Sequence, residues 1–205
     1  MLLHIANKDT SSWSMRPWIL MKVLGVPFEE REHDFLTDKN KQRRLWREFS
    51  PTSQVPLLID GENTVWDSLA ICLYVAERFP QALPNRDTAR AWSYSAAAEM
   101  HSGFVALRTQ CSFTTEFQTP VKAPDEALVA DLQRLDTLWQ QGLSCFGGPY
   151  LAGDKFTIAD AFYAPVVLRL IYFGLAEQLS TASQNYVNLI RNLPQTNEWI
   201  DQANA

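Results

Sequence analysis

The sequence predicts an α/β domain in residues 1–80 and an all-helical domain in residues 88–205, joined by a linker at residues 81–87. Two observations indicate this division. Short strand-like runs alternate with helical patterns in the first 80 residues, whereas only helical periodicity follows. Between them lies the segment PQALPNRD, which holds two prolines and no apolar periodicity and is therefore typical of a connection.

The first domain reads as β-α-β-α-β-β-α. The apolar run LLHIA predicts the first strand, and Gly25 marks the end of the first helix. Asp60-Gly61 between two β-forming runs indicates a hairpin. The strands are expected at 2–6, 27–34, 57–59 and 64–66, and the helices at 15–24, 36–49 and 68–79.

The second region begins with a helix predicted over 89–108, which contains no proline. The segment 119–125, TPVKAPD, is predicted as a break in the helical region. A helix with leucines at helical spacing follows it over 126–146. Thr157 and Asp160 have the spacing of a capping box and precede a highly apolar helix. Pro165 is expected to kink that helix, and Asp160 is interpreted as structural rather than catalytic.

Composition excludes several classes of function. The formal net charge of -5 argues against nucleic acid as a partner. No apolar run reaches the length that spans a membrane, and the N-terminus lacks a signal-peptide pattern, so a cytoplasmic protein with no membrane association is expected. The three widely spaced cysteines suggest neither disulfides nor a metal site, and no metal is expected.

The most informative segment is QVPLLIDG at 54–61, followed by Asp67-Ser68 and a helical pattern. Pro56 opens a short strand, and Asp67-Ser68 stands where the free amides and the positive end of a helix dipole collect. A strand edge beside such a polar helix start can hold an extended, charged, peptide-like molecule. An ordinary helix cap at Asp67-Ser68 is the alternative.

Four motifs in this order resemble the cytosolic glutathione transferases: SSWSMRPW at 11–18, QVPLL at 54–58, DS at 67–68 and GDKFTIAD at 153–160. The first motif is most similar to the serine-type enzymes of the zeta class and related bacterial transferases. The resemblance implies a thioredoxin-like N-terminal domain with a mixed four-stranded sheet and an all-α C-terminal domain. It also implies glutathione as co-substrate, a homodimer and a small electrophilic second substrate.

By the same resemblance, Pro56 follows a cis peptide bond, and the main chain of Val55 pairs with the cysteinyl part of glutathione. Asp67 and Ser68 receive the γ-glutamyl amine and carboxylate. Gln54 adds a polar contact to the same tripeptide. Lys41 reaches the glycyl carboxylate, although a solvated helix face also explains the basic run in which it lies.

Ser11 is the preferred candidate for activating the glutathione thiol, and Ser12 is the second choice because paired serines leave the register open. A hydroxyl that donates a hydrogen bond favours the ionised thiol. An ordinary capping loop is the alternative for the whole cluster. The candidate second-substrate residues are Trp13, His101, Phe104 and Arg108, for which packing between domains is equally compatible.

The expected activity is conjugation of the glutathione thiolate to small electrophiles. A glutathione-dependent cis-trans isomerase of the maleylacetoacetate type is one alternative. It is disfavoured because Trp13 stands where the zeta pattern has cysteine, and Trp18 where it has a second basic residue. A transferase-like binding module without turnover is the other alternative.

Overall fold

The structure, a computed structural model, describes all 205 residues. Its first part is a four-stranded mixed sheet with three helices. The strands are β1 (Leu2–Ala6), β2 (Glu29–His33), β3 (Leu57–Asp60) and β4 (Asn63–Trp66), and the helices are α1 (Ser12–Val23), α2 (Lys39–Trp46) and α3 (Ser68–Arg78). The strand order is β2-β1-β3-β4, with β1 parallel to β2 and the other pairs antiparallel. The predicted mixed sheet is thereby confirmed.

The remainder of the chain is helical apart from its connections. After a 3-10 turn at Pro80–Ala82 come α4 (Asp87–Ser102), α5 (Val105–Gln110), α6 (Glu126–Phe146), α7 (Ile158–Tyr172), α8 (Thr181–Arg191) and α9 (Pro194–Ala203). None of the helices has both the length and the apolar character needed to cross a membrane.

The prediction of one continuous helix over 89–108 is wrong, because the helix is interrupted between α4 and α5. Gly103 donates its N–H to the Glu99 carbonyl and ends α4, and a Cβ at this glycine would lie 2.8 Å from that carbonyl oxygen. Phe104 then adopts a left-handed conformation with φ 53. Its buried ring meets Tyr163 edge-on, with the ring centroids 6.3 Å apart. Packing of this aromatic side chain therefore accompanies the break, which propensity does not indicate.

The hydrophobic core is continuous between the sheet part and the helical part. Helix α7 is buried along almost its whole length and packs against both α1 and α4. Its start is fixed by Asp160, whose buried carboxylate accepts hydrogen bonds from the Thr157 amide and hydroxyl, the Leu151 amide and the Tyr186 hydroxyl. The structural interpretation of Asp160 agrees with these four bonds.

Candidate functional site

A cavity of about 580 Å³ opens where the sheet part meets the end of α4. Segments far apart in sequence form its walls: the start of α1, one face of α2, the loop before β3, and the start of α3. The lining residues are Trp13, Phe35, Lys39, Gln42, Arg43, Trp46, Thr52, Ser53, Gln54, Val55, Pro56, Trp66, Asp67, Ser68 and His101.

The loop before β3 presents free main-chain groups to this cavity. The Val55–Pro56 peptide bond is cis. Ser50 holds the loop, since its Oγ donates to the Gln54 carbonyl at 2.7 Å and accepts from the Gln54 amide at 3.2 Å. The N–H and C=O of Val55 form no hydrogen bond within the chain. They are therefore available to pair with the backbone of an extended ligand.

Asp67 begins α3 in a strained conformation, with φ 75. Its Oδ1 accepts hydrogen bonds from the amides of Leu69 at 2.8 Å and Ala70 at 3.3 Å, while its Oδ2 lies 3.4 Å from Nε2 of His101. Burial lowers the pKa of His101, an effect that the Asp67 carboxylate opposes. The carboxylate of Asp67 is thus directed to the cavity wall with one oxygen engaged by the helix start.

The two candidate serines at the start of α1 have different partners. Ser11 is the N-cap residue, and its Oγ donates to Oγ of Ser14 at 2.8 Å. The Oγ of Ser12 accepts from Nη2 of Arg169 at 3.4 Å. Both serines are buried, and neither is among the residues that line the cavity. No side chain caps the first amides of this helix.

Two guanidinium groups lie close to the Trp13 ring. Arg16 lies over its ring at 4.6 Å and Arg108 at 5.0 Å, and His101 meets the ring edge-on at 5.1 Å. Arg16 also lies over Phe162 at 4.6 Å and donates to Oγ of Ser68 at 3.3 Å. Burial and, to a smaller extent, repulsion from Arg108 lower the pKa of Arg16 to about 9. Two cationic side chains therefore contact Trp13, the residue of α1 that lines the cavity.

Comparison with known proteins identifies the family. Residues 10–78 match the model described as glutathione S-transferase, N-terminal domain, and residues 120–202 match that of the C-terminal domain. The chain belongs to the glutathione S-transferase family. The family prediction made from the four motifs is thereby confirmed.

Similar proteins agree with this family assignment. Dichloromethane dehalogenase of Methylorubrum extorquens is 47% identical over 62 residues, which span 30% of this chain and only 22% of that relative. Glutathione S-transferase 1 of Dianthus caryophyllus is 26% identical across 100% of this chain and 96% of its own length. A glutathione transferase homolog from Burkholderia gl BGR1, crystallised with bound glutathione, shares the fold with a TM-score of 0.71 at 24% identity, over 99% of this chain and 97% of that one.

The structure brings most of the candidate residues of this family member together. Seven of them line one cavity: Trp13, Gln54, Val55, Pro56, Asp67, Ser68 and His101. Arg108 is adjacent through Trp13, and its Nη1 donates to the carbonyls of His101 and Gly103. Phe104 instead belongs to the core beside Tyr163.

Lys41 is exposed and does not line the cavity, whereas Lys39 and Arg43 of the same helix do. The four-residue spacing of Lys39 and Arg43 is a signal for one shared helix face. Sequence reasoning also missed Arg169. A single arginine inside the apolar run of α7 was the available signal, since a charge there needs a reason.

Proposed function

We propose that this protein is a glutathione transferase that joins the sulfur of glutathione to a small electrophile. One observation carries the proposal: the unpaired main-chain groups of Val55 and the Asp67 carboxylate line the same 580 Å³ cavity. An extended tripeptide with a free amine at one end needs both kinds of partner. The family assignment and the glutathione bound to the Burkholderia homolog support the same ligand.

In this proposal the cysteinyl main chain of glutathione pairs with Val55. The γ-glutamyl amine pairs with Asp67, and the γ-glutamyl carboxylate lies at Ser68 and the first amides of α3, where the helix dipole favours an anion. Gln54 contacts the same tripeptide. Lys39 and Arg43 are the proposed partners of the glycyl carboxylate because they line the cavity, unlike Lys41.

The proposed reaction is a nucleophilic substitution or addition by the glutathione thiolate. An ordinary thiol with a pKa of about 8.5 is roughly 3% ionised at pH 7, so the site must favour the anion. One hydroxyl of the serine pair at positions 11 and 12, together with the uncapped amides of α1, supplies hydrogen-bond donors for it. In a substitution, the sulfur forms a C–S bond, the leaving group departs with its bonding pair, and the thiol proton passes to solvent. The similarity to dichloromethane dehalogenase favours organic halides as the first electrophiles to test.

The quaternary state and the cellular location are also proposals. The family resemblance supports a homodimer in the cytoplasm. Sedimentation analysis of the purified protein tests the dimer directly, and a monomer at micromolar concentration would contradict it.

Calorimetric titration with glutathione, followed by turnover assays on aryl halides, alkyl halides and cis-dienoic acids, tests the function. Lys39→Gln and Arg43→Gln are expected to weaken glutathione binding, whereas Lys41→Gln removes the same charge from the same helix without effect. Binding with turnover of halides supports the transferase. Isomerisation of maleylacetoacetate without conjugation favours the isomerase alternative, and binding without any turnover favours a binding module. The absence of glutathione binding at millimolar concentration would refute the proposal.

A further inference from the structure

Arg169 of α7 reaches across the interface between the two parts of the chain to Ser12 of α1. Its Nη2 lies 3.4 Å from Oγ of Ser12, although the two residues are 157 positions apart. A guanidinium group has only donors, so the serine oxygen is the acceptor in this contact. The hydroxyl proton of Ser12 is therefore not consumed by Arg169.

The other serine uses its proton differently. Ser11 donates its hydroxyl proton to Oγ of Ser14, whose oxygen also accepts the amide of Ala6 at 3.2 Å. Ser12 donates its hydroxyl to no group within the chain. Of the two candidate hydroxyls, that of Ser12 has the free donor that a sulfur anion requires.

Arg169 is also a buried cation without a carboxylate partner. It is 7% exposed, its Nε has no hydrogen-bond partner, and its guanidinium lies 5.5 Å from the ring centre of Phe113. Burial and, to a smaller extent, repulsion from Arg108 lower the pKa of Arg169 to about 10, so the group remains charged at neutral pH. A buried positive charge of this kind is stabilised when an anion binds nearby.

The charged and titratable groups around this contact favour an anion. Arg16 of α1 and Arg108 of α5 are cationic neighbours, and Asp67 at the start of α3 is the nearby acid. Asp67 is engaged by His101 and by the amides of α3. Cys111, at the end of α5, has its thiol pKa raised by burial and faces Arg169 as a neutral group.

We propose that Arg169 is a positioning residue that directs the Ser12 hydroxyl, so that Ser12 rather than Ser11 donates to the glutathione sulfur. This inference rests on the proposed function. Arg169 fixes the serine oxygen as an acceptor, so that the proton of Ser12 points away from α7. Its positive charge adds to the field that favours a thiolate over a thiol at the start of α1. The helical part of the chain would in this way complete a site whose other groups come from the sheet part.

The test is a pH titration of the thiol of bound glutathione, in which the ultraviolet absorbance of the thiolate is measured at each pH. Ser12→Ala and Arg169→Gln are each expected to reduce the thiolate fraction at pH 7 about five- to tenfold, with glutathione affinity retained. The double variant should lose less than the sum of the two single losses, because part of the effect of Arg169 acts through Ser12. Arg169→Lys, which keeps a charge and donors, should restore part of the loss.

Two controls keep the test specific. Ser11→Ala should shift the thiol titration much less than Ser12→Ala does. Arg134→Gln removes the same charge from an exposed ion pair with Glu99 on the outside of the helical part and should leave the titration unchanged. If Arg169→Gln does not fold, Ser12→Ala and Arg169→Lys still decide the outcome.

The result that overturns the inference differs from the one that refutes the proposed function. Glutathione binding with a thiol titration that Ser12→Ala and the Arg169 variants leave unmoved overturns it. A shift produced by Ser11→Ala alone, or strictly additive losses in the double variant, also overturns it. The absence of any glutathione binding by the unaltered protein refutes the proposed function itself.

Discussion

Asp67 combines two tasks that substitutions can separate. One carboxylate oxygen caps α3 through the amides of Leu69 and Ala70, while the other faces His101 and the cavity. Asparagine keeps an accepting oxygen and tolerates a positive φ, but it removes the charge. Alanine removes both the cap and the charge. The two substitutions therefore distinguish a helix cap from a ligand-binding carboxylate.

Asp67→Asn is expected to raise the Kd for glutathione about tenfold, because an ammonium–carboxylate pair is lost. Its free energy of unfolding should stay close to that of the unaltered protein. Asp67→Ala should bind as weakly and also lose about 1 kcal/mol of stability with the cap. Calorimetric titration and urea unfolding measure the two quantities. If Asp67→Asn bound glutathione with unchanged affinity, Asp67 would act only as the cap of α3 and not as a ligand-binding carboxylate.

His4 and His33 form a stack with Phe49 beneath α2. Nδ1 of His4 and Nε2 of His33 lie 2.9 Å apart, and the Phe49 ring is 4.6 Å from His4 and 4.3 Å from His33. Burial, followed by repulsion from His33 and Arg31, lowers the pKa of His4 to about 4. This contact requires at least one neutral ring.

The lowered pKa makes stability depend on pH with a definite sign. The unfolded chain takes up a proton on His4 near pH 6.5, whereas the folded chain resists it until about pH 4. The stabilisation is therefore complete above pH 6.5 and is lost as the pH falls towards 4. Between pH 7 and 5 the unaltered protein should lose about 1–2 kcal/mol more than His4→Phe, which keeps a stacked ring. Urea unfolding at both pH values measures this, and equal losses in the two proteins would contradict it.

At the scale of the element, Gly142 shows why helix propensity does not decide every position in α6. A Cβ at this glycine would lie 2.4 Å from the Leu151 carbonyl oxygen and 2.6 Å from the ring of Trp92. The main chain of α6 thus approaches its neighbours too closely for any side chain. A glycine in the helix interior is required here by packing.

Gly142→Ala should lower the free energy of unfolding by about 2 kcal/mol, because the overlap outweighs a propensity gain of about 1 kcal/mol. Ser144→Ala, an exposed position on the same helix, should be nearly neutral. Denaturant unfolding of both variants gives the comparison. A Gly142→Ala protein as stable as the parent would mean that Trp92 and the 151 loop move away without cost.

Helix α2 shows how much of a site a sequence pattern can locate. The basic run was recognisable, but the helix starts at Lys39, and Asp38 caps it through the amides of Asn40 and Lys41. This start sets the phase of the helix. Lys39, Gln42, Arg43 and Trp46 consequently face the cavity, while Lys41 faces solvent. A shift of two residues along a helix turns a side chain by about 200°, so family alignment alone did not fix the lysine.

At the scale of the whole molecule, the C-terminal helix joins the first part of the chain to the last. Nε1 of Trp199 in α9 donates to the Lys8 carbonyl at 2.9 Å, and the Trp199 ring meets Trp18 edge-on at 5.0 Å. The core cluster contains residues from both parts, so each part alone would expose apolar side chains that the other part buries. The two parts should therefore unfold together.

One calorimetric transition is expected, coincident with the change in tryptophan fluorescence. Trp199→Phe should lower the free energy of unfolding by about 2 kcal/mol, because it loses a buried hydrogen bond and ring volume. The whole protein should still unfold in that single transition. Two separate transitions in the unaltered protein would show that the parts are independent. A variant in which only the helical part melts earlier would lead to the same conclusion.

By itself, the sequence determined the order of elements in the first 80 residues, the hairpin and the residues at two ends of the cavity. Val55, Pro56 and Asp67 are set by local signals, namely a proline, a turn and a helix start, which act within a few residues. The break at Phe104, the face of α2 that lines the cavity and the contact between Arg169 and Ser12 were decided only by tertiary structure. They depend on packing between segments up to 157 residues apart, and such contacts leave no periodicity in a single sequence.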